Sequence, residues 1–183
     1  MARVPYLNKS DLSAENQDLL TSALNLSRVM VHSPGLARSF GTVANFIRSR
    51  SRLDPRLREM AILQVGYVTR AAYEFSHHVK LARQAGVSDS DLRAIAEESA
   101  GRDSGLDPLA KAVLRAAREM TVGLSVSDET FAILREHLDY ERLMDLLGAI
   151  AFYNAVVRLL TTLQVDVEDD YRKYLEEFPL PSR

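Results

Sequence analysis

Glu74 and His78 stand one helical turn apart, and a second carboxylate, Glu59, lies upstream among apolar neighbours. Side chains four residues apart share a helix face, and the residues on the stripe of this pair are Ala71, Phe75, Leu81, Ala82 and Ala85, so both groups point inward. A carboxylate one turn from an imidazole forms a proton-transfer pair: the carboxylate orients and charges the ring, while burial raises the carboxylate pKa toward neutrality. Glu59 precedes Ile62, Leu63 and Gly66 by three, four and seven positions, which sets it on an apolar side of its own helix as a second proton relay. The same spacing also fits a buried structural hydrogen bond between Glu74 and His78. It fits a metal site less well, because no third and fourth ligand follows at a recognisable interval, and no metal is assigned. His77 is displaced by about 100° around the helix and falls with Arg70, Tyr73, Lys80 and Gln84, a polar set that places it at the surface and away from the centre of the site. His32 and His137 read as cap or surface residues.

The elements that carry these groups are helices. Apolar residues recur at helical spacing, as in Leu57, Met60, Ala61, Val65 and Val68, and no segment shows the alternation of a strand, so the fold class is all-α. Asp54-Pro55, Ser88 with Asp91, Asp107-Pro108 and Ser127 read as helix starts, and Gly86, Gly101 to Gly105 and Gly123 as stops. The spacing predicts about eight helices, near 11–31, 36–48, 55–69, 71–85, 89–99, 107–122, 128–137 and 140–164. At 183 residues the chain is expected to form one compact domain, 1–183, with a motif core at 54–98 and a C-terminal arm at 171–183. Arg48, Arg50, Arg52, Arg56 and Arg58 form the one basic cluster, which reads as a solvated helix end. The net charge of −2 gives no footprint for nucleic acid. The longest nearly apolar run, 146–157, is 12 residues against the ~20 of a spanning helix, so no membrane partner is expected. The N-terminal residues lack an apolar export stretch, which makes the cytoplasm the expected compartment. With no cysteine in the chain, thiolate metal sites, thiol nucleophiles and dithiol redox cycling are excluded.

Three runs carry a resemblance: Leu57-Arg58-Glu59-Met60-Ala61-Ile62-Leu63, Ala72-Tyr73-Glu74-Phe75-Ser76-His77-His78, and Leu81-Ala82-Arg83-Gln84-Ala85-Gly86-Val87-Ser88. Together they resemble the carboxymuconolactone decarboxylase family, which includes alkylhydroperoxidase D; the likeness is strongest over residues 54–98. In the redox branch of that family a Glu precedes two cysteines three apart and a His four further on. Aligned on His78 and Gly86, that pattern puts Ala71 and Glu74 at the cysteine positions and Glu59 at the relay Glu. Without sulfur nucleophiles the peroxide-reducing and disulfide-exchanging chemistry cannot run. The resemblance is therefore to the cysteine-free members.

What the resemblance implies is a cofactor-free proton transfer or decarboxylation on a small carboxylic acid or lactone. In that scheme His78 is the general acid or base, Glu74 its orienter, Glu59 a relay, and Tyr73 a hydrogen-bond donor to a developing enolate. Arg158 and Asn154, one turn apart on an apolar helix, are candidates to hold a substrate carboxylate, with a structural pair equally open. The alternative function is a non-catalytic helical protein that binds an apolar ligand in the same pocket. A homo-oligomer is expected because the last long helix is apolar on all sides and the arm carries Tyr174, Leu175 and Phe178, which need cover, from a neighbouring subunit in the simplest case. The resemblance favours a trimer or hexamer over a dimer.

Overall fold

A computed structural model describes residues 2–182; Met1 and Arg183, the ends of the expected span and, for Arg183, of the arm, lie outside the described residues. Among the described residues there is no strand. The α-helices are α1 (Asn25–Met30), α2 (Pro34–Ser49), α3 (Pro55–Val68), α4 (Ala72–Gln84), α5 (Asp89–Ser99), α6 (Pro108–Val122), α7 (Asp128–His137), α8 (Tyr140–Leu163) and α9 (Asp169–Glu177).

The hub is α3. Asp54 caps it by accepting from the Leu57 N–H at 3.1 Å, Pro55 fills the first turn, and every residue from Leu57 to Gly66 is buried. Its partners are α4, α5, α6 and α8. Met60, Ile62 and Leu63 have no exposed surface, and such side chains contribute about 1.5–3 kcal/mol each on burial. The reversal into α4 is short: Arg70 takes a left-handed φ of 53° and the Ala71 N–H donates back to the Gly66 carbonyl. Gly66 also permits close approach of the two helices, since a Cβ there would stand 3.2 Å from the backbone nitrogen of Phe75 on α4. At its other end α4 stops at Gly86, whose φ of 88° suits glycine. The remaining expected caps form too: Ser88 and Asp91 make a reciprocal capping box, and Asp107 and Ser127 accept from the N–H groups of Ala110 and Thr130.

Four expectations are corrected. The single helix at 11–31 is instead two short 3-10 segments, Lys9–Asp11 and Ala14–Leu19, followed by extended chain and α1. The reason is tertiary: Arg38 of α2 binds the Asp18 carboxylate and the Glu15 carbonyl, and Glu168 accepts from the Asn25 N–H at 2.7 Å, so distant side chains replace the helical ladder. The arm does not wait for a neighbour, because α9 forms and packs on α4 of the same chain, burying Tyr174 and Phe178.

On α8, Met144, Gly148, Ala151, Ala155, Arg158 and Thr162 form a strip left open in the single chain, and the third correction concerns the length of this helix. By length and composition α8 has what a membrane span requires, with 24 residues and mean hydropathy 1.6, which the 12-residue run undercounts. Here it packs against α2, α3, α4, α6 and α7. The last correction is the basic cluster, which is only partly solvated: Arg56 makes a two-point pair with Asp91 of α5, and Arg58 is buried against Glu59.

Candidate active site

The antiparallel step from α3 to α4 brings Glu59 under the inward face of α4. Glu59 Oε2 lies 2.7 Å from His78 Nδ1, and Glu59 Oε1 accepts from Arg58 Nε at 3.1 Å. On the other side of the ring, Glu74 Oε1 stands 2.9 Å from His78 Nε2. That approach has the distance of an ion pair without hydrogen-bond alignment, and Glu74 Oε1 has no other partner. Glu59, Glu74 and His78 are 1%, 3% and 5% exposed. The imidazole is therefore clamped between two carboxylates in a dry setting, firmly by Glu59 and loosely by Glu74.

Charge follows from this geometry. Burial pushes His78 toward its neutral form, but Glu74 and Glu59 outweigh it and raise the pKa to about 9. Burial of Glu59 acts to raise its pKa, yet His78 and Arg58 reverse the sign and hold the group below the usual carboxylate value, so Glu59 is an ionised partner. Both ring nitrogens of His78 face carboxylates, and among the described residues no set of three or more His, Asp or Glu is arranged to hold a metal ion.

The other expected site residues scatter. Tyr73 lines the same cavity, but its hydroxyl accepts from the Leu26 N–H at 3.2 Å and donates to Glu168 Oε1 at 3.1 Å, away from His78. Asn154 and Arg158 do bind each other, Arg158 Nη1 to Asn154 Oδ1 at 2.8 Å, while Asn154 Nδ2 donates to Thr121 and to the Ile150 carbonyl. Neither lines the cavity, and Arg158 is exposed, so this geometry is that of a structural pair. His77 is the clearest departure. It is 8% exposed, stacked between Tyr73 and Tyr171 at 4.0 and 3.7 Å, with Nδ1 against the Tyr73 carbonyl at 2.8 Å and Nε2 at 2.9 Å from Glu168. On the polar stripe of α4, Tyr73 and His77 are buried, His77 under Tyr171 of α9, while Arg70, Lys80 and Gln84 remain exposed.

Above the clamp opens a cavity of about 980 Å³ between α1, α2, α4, α8 and α9, with Glu74 and His78 in its wall. Its wall is mixed, with Phe40, Phe152, Val156 and Leu81 beside Asp18, Arg38, Lys80 and Gln84. A smaller cleft of about 280 Å³, which shares Leu81 and Gln84 with the cavity, reaches Glu59 and Arg58. Arg48 borders both. Tyr153 of α8 sets its ring edge-on to His78, with centroids 4.9 Å apart, and its hydroxyl has no hydrogen-bond partner among the described residues. Sequence reasoning missed Arg48 and Tyr153; the only signals were the cluster that begins at Arg48 and a lone polar-tipped aromatic in the apolar run of α8.

Residues 34–119, which contain Glu59, Glu74 and His78, match the carboxymuconolactone decarboxylase family. No curated protein matches the chain significantly. Among solved structures, the alkylhydroperoxidase AhpD core of an uncharacterized peroxidase-related protein from Ralstonia eutropha JMP134 is similar, with TM-score 0.78, 19% identity and 98% of each chain covered. A variant of the debrominase Bmp8 in complex with 2,3,4-tribromopyrrole gives TM-score 0.79 at 18% identity over 97% of this chain and 100% of that one. At these identities the likeness shows the AhpD-like fold.

Proposed function

Because residues 34–119 belong to the carboxymuconolactone decarboxylase family, we propose that this protein is a cofactor-free enzyme that moves a proton to or from carbon next to a carbonyl, in a decarboxylation or isomerisation of a small carboxylic acid or lactone. The observation that carries the reading is the imidazole of His78 held between Glu59 and Glu74 in the wall of a cavity of small-molecule size. In a decarboxylation the bond to the carboxylate breaks, carbon dioxide leaves, and the electron pair passes to the carbonyl as an enolate. His78, charged at neutral pH, then delivers its Nε2 proton to the carbon while Nδ1 keeps its own against Glu59, and Nε2 is recharged from the cavity on the side of Glu74. Glu74, lacking a directional bond, is free to swing between ring and substrate. Thiol-dependent peroxide reduction is closed to a chain without sulfur nucleophiles.

The test is a panel of lactones and 3-oxo acids assayed with wild type and Glu74→Gln. Turnover by wild type that falls about 100-fold in the variant is the expected result, the usual scale for a general acid–base group. Absence of turnover across the panel would sink the decarboxylase reading and leave the second one, ligand binding without chemistry. One observation favours that alternative: Glu59 is fully satisfied by Arg58 and His78, as a structural network would be.

A closed homo-oligomer acting in the cytoplasm is part of the same proposal. Support for the oligomer is the exposure of Leu36, Val43 and Phe46 on α2, together with Met144 on the open strip of α8. A mass that stays near 20.5 kDa in light scattering at high concentration would remove it.

A further inference from the structure

We propose that Tyr153 is the hydrogen-bond donor to the substrate oxygen on which negative charge develops, and that Arg48 supplies the compensating positive charge at the same end of the cavity. The inference rests on the reading of this cavity as the substrate site. Buried tyrosines ordinarily find a partner for the hydroxyl. Tyr73, in the same cavity, has two. Tyr153 is 3% exposed and makes no hydrogen bond to the described residues, and its hydroxyl is not one of the sealed unsatisfied polar atoms, so it opens on the cavity that it lines, its ring edge-on to the imidazole that carries the proton. A polar tip that faces a cavity with no protein partner fits a partner that arrives with the ligand. Burial, with Glu74 and Glu59 nearby, raises the Tyr153 pKa despite the opposing charges of Arg48 and Arg58, so the group is a neutral phenol and a donor.

Arg48 is the matching cation. Arg38, Arg52, Arg56, Arg58 and Arg83 each have a carboxylate partner, whereas Arg48 has no ion pair among the described residues. It borders both the cavity and the cleft and acts electrostatically on Tyr153. Of the two donors, Tyr153 is buried and held in place before the substrate arrives, whereas Arg48 is exposed and adds charge; a preorganised donor with a cation beside it stabilises an oxyanion. This site takes the roles expected of Tyr73 and Arg158. It suits a small organic anion with a flat apolar body, since Phe40, Phe152 and Tyr153 line the cavity beside this site.

Three probes of one shape separate the two donors: benzoate, benzamide and toluene, titrated by NMR or calorimetry against wild type, Tyr153→Phe and Arg48→Gln. Tyr153→Phe keeps the ring against His78 and is expected to weaken benzoate and benzamide about tenfold while sparing toluene. Arg48→Gln, on an exposed side chain that folding does not need, is expected to weaken benzoate alone, and it keeps the test open should the Phe variant unfold. Equal losses for all three probes, no loss in either variant, or a wild type that binds benzoate no better than toluene would overturn the inference. These are binding measurements, so failure of the enzymatic reading leaves the pattern intact. A panel substrate turned over at full rate by Tyr153→Phe would overturn the donor role alone.

Discussion

His77 and His78 are neighbours on α4, equally deep, and in the wall of the same cavity, yet their environments charge them in opposite directions. Burial depresses both. Around His78 two carboxylates outweigh it, and the pKa rises to about 9. Around His77 burial, aided by the charge of His78, wins over the Tyr73 carbonyl, Glu168 and Glu74, two tyrosine rings cover the faces, and the pKa falls below its ordinary value. At neutral pH the helix therefore presents a charged imidazole beside a neutral one. Neither depth nor the count of carboxylates decides the protonation of a buried histidine; their placement and the charge of the neighbouring ring do. The charged ring is the one with a proton to give, and the neutral one, its Nδ1 proton on the Tyr73 carbonyl, joins α4 to α9 by stacking on Tyr171.

The largest expected effect that separates the two comes from removing each ring. His78→Gln leaves Glu59 and Glu74 buried without the cation between them and should cost about 3–5 kcal/mol of stability. His77→Gln leaves Glu168 with the Asn25 N–H and the Tyr73 hydroxyl and should cost about 1–2 kcal/mol. Urea unfolding of both variants measures this, and equal losses would break the distinction.

A smaller effect, with opposite signs, lies in the pH dependence of wild type. His78 has a raised folded pKa, so its contribution is complete below the ordinary histidine value of 6.5 and is lost as pH climbs through about 9. His77 has a lowered one, so its contribution is complete above 6.5 and is lost as pH falls. The Tm should peak near pH 6.5 and decline on both sides, with the alkaline decline absent in His78→Gln and the acid decline absent in His77→Gln. A Tm that holds flat from pH 6.5 to 9 in wild type would contradict the charge assigned to His78.

Those same two residues mark how far the sequence could be read. The pair Glu74 and His78 is local, one turn apart, and Glu59 lies on the preceding helix, so spacing and a short connection suffice to bring the three together. The covers of His77 are Tyr171 and Glu168, more than ninety residues away on a helix that the periodicity did not reveal. From α4 alone its stripe looks solvent-facing. The segment 11–31 fails for the same reason, since its backbone partners are Arg38 and Glu168. In α8 apolar residues on nearly every side hide which face meets the core, so Tyr153 could not be told from its neighbours. Local chemistry and helix caps were legible, whereas whatever depends on contacts between the two ends of the chain was not.

The crossing of α3 and α4 at Gly66 works as a fulcrum. Seven residues up α3 from that point stands Glu59, about 10 Å along the axis, and on α4 His78 lies three residues, about 4.5 Å, beyond Phe75. A single methyl at position 66 would press on the Phe75 backbone at 3.2–3.3 Å, where nothing can rotate aside, and the helices would have to tilt apart. Tilt about a fixed point grows with distance from it. The 2.7 Å contact of Glu59 with His78 has only about half an ångström to give before it ceases to be a strong hydrogen bond. The absence of a side chain at one position, far from any proton, thus sets the mechanical tolerance of the whole relay.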